Sequence, residues 1–150
     1  MATNLPFSMK TTIYLRSVAA GGLGIVGAFT GPHADLAGII AIWTEMLVTL
    51  AGQAGRDLST SKATKIAAVV CSGVAAFLTG VKVASTVFTW TGVGTIPAVI
   101  ANLGVNAVVT YSFGHAAGRI FLEKSASASD SDLASAILQL LRAMLKGEES

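Results

Sequence analysis

Ile66 to Val81 read IAAVVCSGVAAFLTGV, a run without charge that Lys65 and Lys82 bracket. As a helix these about 16 residues extend roughly 24 Å, where a membrane span needs about 20 apolar residues. Lysine stems at both ends can lengthen the apolar stretch by carrying their charge outward. Val83 to Gly118 again lack Asp, Glu, Lys and Arg, and only TGVGTIP (91–97) interrupts them. Gly92, Gly94 and Pro97 force a turn or a broken helix there. The pattern predicts an apolar helical hairpin: a helix from about Lys62 to Trp90, a turn through Gly94 and Pro97, and a helix from about Ala98 to Leu122. The β-branched residues of VASTVFTW (83–90) argue the other way, toward strand.

On the N-terminal side, TGPHAD (30–35) punctuates a helix start, with Pro32 suited to a first turn and Asp35 to the positive end of the dipole. Leu36, Ile39, Ile40, Trp43, Leu47 and Leu50 follow helical spacing and define one apolar face, while Ala37, Ala41 and Glu45 share the opposite one. Gly52 and Gly55 end that helix before the polar loop RDLSTSKATK (56–65). Upstream, VAAGGLGIVGAFTG (18–31) supports two readings. Ala20, Gly24 and Ala28 recur every four residues, as in a close helix-packing face; four glycines in seven residues penalise a helix by about 1 kcal/mol each and favour a loop. The same glycines dilute the apolar core that a secretory signal would need, so secretion is not expected.

On the C-terminal side, KSASASDS (124–131) is a low-complexity Ser/Ala linker. Asp130, Ser131 or Asp132 is expected to cap the amphipathic helix that follows, in which Leu133, Ile137, Leu140 and Met144 share a face. The expected architecture is all-α: an apolar hairpin plus an amphipathic helix within 1–123, the linker 124–131, and a separate C-terminal amphipathic helix and tail over 132–150. On that division the hydrophobic body should fold without the last helix.

Composition narrows function by exclusion. The chain is 53% hydrophobic and 12% charged, with 10 Lys+Arg against 8 Asp+Glu and a mean hydropathy of +0.69. About a quarter of an ordinary soluble domain is charged, so this chain is built for a bilayer or for an assembly that hides apolar surface. A net charge of +2 offers no footprint for nucleic acid. One cysteine, Cys71, permits no internal disulfide and reads as a small buried hydrophobe. His33 and His115 stand in no metal-binding spacing, and no phosphate loop, nucleophile elbow or dinucleotide fingerprint occurs, so neither catalysis, metal nor cofactor is expected.

What remains is polar residues in apolar surroundings. Asn102, Asn106 and Thr110 are spaced by four on one helical face, as interhelical hydrogen-bonding groups or as the lining of a pore. Tyr111, His115 and Arg119 form a second row that suits an interfacial anchor. Glu45 would be costly in lipid and reads as facing solvent or a partner. Lys82 reads as the end of an apolar helix. Ser72, Ala76, Gly80 and Ala84 make a small-residue stripe for helix packing, and bulk there should disturb self-association.

Pro32 and Asp35 before the amphipathic helix, Gly94 and Pro97 in the turn, and Thr110 with Gly114 in a helix that reaches Phe121 together resemble the bacterial domain of unknown function 697. The resemblance spans roughly Gly31 to Glu123. It implies a membrane-associated helical domain that occurs alone or attached to Era-like GTPases; with no GTPase motif in this chain, such a partner would act in trans. The reading as a whole is a non-enzymatic, membrane-embedded or membrane-inserting homo-oligomer, a scaffold or pore in the bacterial inner membrane. Its rivals are a soluble homo-oligomeric interaction module and a membrane adaptor for a GTPase.

Overall fold

The computed structural model describes residues 4–30, 32–74, 95–124 and 127–145, with side chains described except over 23–36 and 95–105. Among the described residues the fold is all-α, five helices and no strand: α1 (Phe7–Thr30), α2 (Pro32–Gln53), α3 (60–74), α4 (Thr95–Glu123) and α5 (Asp130–Leu145). The hairpin turn and the second half of its first helix lie outside the described residues, and with them Ala76, Gly80, Lys82, Ala84 and Gly94.

The glycine-rich stretch 18–30 is helical, continuing α1 to Thr30. Helix propensity alone argues against this. Ala20 is fully buried, so the small residue admits a neighbour. The α2 helix buries Ile39, Trp43, Leu47 and Leu50 and turns Ala37, Ala41 and Glu45 outward.

Gly55 ends α2 with a left-handed backbone at φ +76°. The Arg56 amide bonds the Ala51 carbonyl at 2.8 Å and the Gly55 amide bonds that of Gly52 at 3.1 Å, the paired closure of a Schellman motif. Ser59 starts α3, its hydroxyl accepting from the Lys62 amide at 3.2 Å.

Two local expectations need correction. Pro97 is not in the turn before α4: the helix begins at Thr95, and Pro97 falls in its first turn, where a missing N–H leaves no hydrogen bond unmade. The cap of α5 is Ser129, whose hydroxyl accepts from the Asp132 amide at 3.1 Å. Asp130 and Asp132 instead occupy the first turn, favoured by the helix dipole.

Side-chain pairings fix the topology. Arg16 meets Glu45 and Thr12 meets Gln53, so α2 runs antiparallel to α1. Thr44 meets Thr64, so α3 reverses again. Leu5 and Met9 lie against Gly118 while Ile13 lies against Gly114, so α4 is also antiparallel to α1. The short link after Lys124 returns the chain into α5, where Leu138 covers Gly73 and the Arg142 guanidinium donates to the Gly73 carbonyl at 2.9 Å. The described helices thus alternate direction in an up-down bundle.

One hydrophobic core runs through all of it. Trp43, Phe113, Met9, Ile13, Ile66 and Ile137 are among its large, fully buried members, and Leu133, Ala134 and Leu141 of α5 belong to the same cluster. The Ser/Ala linker therefore interrupts helix without interrupting packing. Within 60–74, α3 buries Ile66, Val70 and Val74 but exposes Val69 and Ser72, the pattern of a helix with one inward face.

Candidate functional site

The α4 helix carries the candidate residues on two faces, one turned into the bundle and one turned out. Asn106 and Thr110 are completely buried in the single chain. The Trp43 indole N–H donates to the Thr110 hydroxyl at 3.0 Å, and the Trp43 ring stacks on Phe113 with centroids 4.0 Å apart and planes within 9°. A buried indole and a buried hydroxyl each require a partner, and here they satisfy one another. Asn102 lies on the same helix, with its side chain outside the described residues.

The row continues at the same spacing. Gly114 and Gly118 follow Thr110 at four-residue intervals and let α1 approach. A Cβ at Gly114 would stand 2.8 and 2.9 Å from the two γ carbons of Ile13 and 3.1 Å from Met46 Sδ. At Gly118 it would meet the Leu5 methyls at 3.2 Å. This small-xxx-small pair in GHAAG does within the chain what the stripe from Ser72 was expected to do between chains. The pair was visible in sequence as two glycines one turn apart on an apolar helix. In that stripe Ser72 is exposed and Gly73, its neighbour, takes Leu138 of α5.

The outward face of α4 carries Tyr111, His115 and Arg119. Tyr111 is exposed, and its ring tilts at 45° against that of His115, 4.5 Å away. His115 and Arg119 are half-buried. Burial, then the positive charges of Lys10 and Arg119, hold the His115 imidazole below its ordinary pKa, so it resists protonation. Glu45 is exposed and pairs with Arg16 at 2.6 Å across α1 and α2.

At the end of the bundle where α2 meets α3, Arg56 reaches the C-terminus of α4. Its Nε donates to the Phe121 carbonyl at 2.9 Å, its Nη2 donates to the Lys124 carbonyl, and the guanidinium lies 5.7 Å from the Phe121 ring centroid. Helix C-terminal carbonyls lack intrahelical donors, so a guanidinium fork suits them. The sequence placed Arg56 in a polar loop, and no local pattern marks a contact that distant along the chain. A cavity of about 260 Å³ beside it has Arg56, Lys62, Asp57 and Asp130 in its wall. Among the described residues no group of three or more His, Cys, Asp or Glu could hold a metal ion.

No described helix is long and apolar enough to cross a membrane. No family model, curated protein or solved structure matches the chain.

Proposed function

We propose that this chain is a non-enzymatic helical protein that associates with a bilayer and assembles there with copies of itself. The observation that carries the reading is the set of large apolar side chains on the outer surface of α1 and α4: Phe7, Tyr14, Leu15 and Val18 on one, Val108 and Tyr111 on the other. Exposed apolar residues scattered singly need no explanation, whereas a group on two adjacent helices suggests a lipid or protein partner. The low charge of the chain and the charge-free sequence from Val83 to Gly118 support the same reading.

The second reading is a homo-oligomeric interaction module independent of lipid. It is favoured by the way the bundle satisfies its own buried Trp43 and Thr110 and closes its glycine contacts within one chain. A GTPase acting in trans rests on the resemblance to domain of unknown function 697 and fits either reading. Carbonate extraction of membranes from expressing cells separates the two. Retention in the pellet supports the bilayer, whereas release, followed by a defined detergent-free mass by light scattering, supports the module.

A further inference from the structure

We infer that the outer face shared by α1 and α4 is the surface that meets the bilayer, and that it selects membranes containing anionic lipid. This rests on the membrane reading above and assigns it to particular side chains. Phe7 is 85% exposed, Tyr14 63%, Leu15 60% and Val18 57%, although all four belong to a helix whose other face is fully buried. Phe7, Tyr14 and Val18 fall on one side of a helix in a row with Thr11, and Leu15 borders that row on the flank away from Lys10.

The antiparallel register, set by Leu5 at Gly118 and Ile13 at Gly114, brings Tyr14 and Val18 to about the level of Tyr111 and Val108. Leu122, also exposed, lies toward the Phe7 end. The result is a two-helix apolar band with two tyrosines, the amphipathic rings that favour the headgroup level.

Charge decides what covers the band. The α1 helix contains no Asp or Glu, and in α4 the first acid is Glu123, its last residue. Arg16 is neutralised by Glu45. Lys10 and the half-buried Arg119 are the further cations of this face, and the Lys10 ammonium donates to the Asn4 amide oxygen at 2.8 Å. A second copy docked face to face would set cation against cation along a band whose acids are Glu45, already paired with Arg16, and Glu123 at one end, whereas an anionic leaflet supplies negative charge along its whole length.

The test is vesicle flotation of the full-length protein, on phosphatidylcholine alone and on phosphatidylcholine with about 30% phosphatidylserine. The wild-type protein should float with both and more strongly with the anionic vesicles. The triple variant Phe7→Ser, Tyr14→Ser, Leu15→Ser should lose binding about tenfold or more. Because these side chains are exposed, its circular dichroism should match the wild type. Lys10→Gln should weaken binding about fivefold on the anionic vesicles and leave neutral binding unchanged. Val69→Ser, which removes an exposed apolar residue from α3, is the control and should change nothing. Wild-type flotation with an unaffected triple variant overturns the face and spares the membrane reading. Failure of the wild type to float on either vesicle overturns both. A triple variant that changes oligomeric mass without changing flotation assigns the face to a second copy, and the inference fails.

Discussion

The Trp43 indole N–H and the Thr110 hydroxyl form a 3.0 Å hydrogen bond between two completely buried side chains, fixing the direction of the largest core residue of α2 as well as its burial. Thr110→Val retains the volume and removes the acceptor, leaving a buried donor unmatched. A loss of about 1–3 kcal/mol is expected from urea unfolding followed by near-UV circular dichroism. A Val variant as stable as the wild type would remove this bond from the account of the core.

Gly114 and Gly118 should respond differently to the same change. At Gly114 an added Cβ meets the γ carbons of Ile13, which sit one bond from its own Cβ and cannot swing clear. Gly114→Ala should therefore cost about 1–3 kcal/mol despite better helix propensity. At Gly118 the neighbours are the terminal methyls of Leu5, which can rotate away. Gly118→Ala should be neutral or stabilising by up to about 1 kcal/mol. Equal midpoint shifts in urea for the two variants would contradict the geometry.

Removal of residues 132–150 should destabilise the body. Leu133, Ile137 and Leu141 are buried in the common core, and each contributes about 1.5–3 kcal/mol when fully buried. The expected result is a lowered urea midpoint with new dye binding to exposed apolar surface. A truncated chain that unfolds at the wild-type midpoint would restore the C-terminal helix as a separate unit.

Arg56→Ala should cost about 1–2 kcal/mol, since two carbonyls at the end of α4 lose their donor. Arg56→Lys should recover only part of this, because an ammonium cannot reproduce the planar fork. Hydrogen exchange localises the effect: amides of the last turn of α4 should exchange faster, while those around Trp43 should hardly change.

His115 imposes a pH dependence of definite sign. Its folded pKa lies below the ordinary histidine value of 6.5, so at acid pH the unfolded chain binds a proton that the folded chain resists. The contribution is intact above about pH 7 and is lost as pH falls toward the depressed folded value. His115→Gln should flatten the stability profile between about pH 7 and 5. A variant with the same slope as the wild type would place the titration elsewhere.

Different parts of this fold were legible for different reasons. The inward face of α2 could be read directly, because Ile39, Trp43, Leu47 and Leu50 repeat with the helical period and all four are buried. Gly55 was readable as a helix end because a left-handed residue favours glycine. The helical state of 18–30 was ambiguous because its glycines oppose a helix locally while Ala20, Gly24 and Ala28 repeat at helical spacing. Remoteness along the chain hid the Arg56 contact with Phe121, the covering of Gly73 by Leu138 and the pairing of Glu45 with Arg16. A repeat along one helix reports which side is apolar, and it carries no information on which distant segment arrives there.

The pairing of Leu5, Met9 and Ile13 with Gly114 and Gly118 joins the start of the first described helix to the last but one. During synthesis α1 emerges about a hundred residues before its glycine partners, an interval of about 5–20 s at ordinary elongation rates. Through that interval the side of α1 that α4 will take, Leu5, Met9 and Ile13, and its outer band of Phe7, Tyr14, Leu15 and Val18 are without α4 as a cover. A chaperone or a nearby leaflet that shelters α1 through that interval would guard an apolar surface that α4 covers only later.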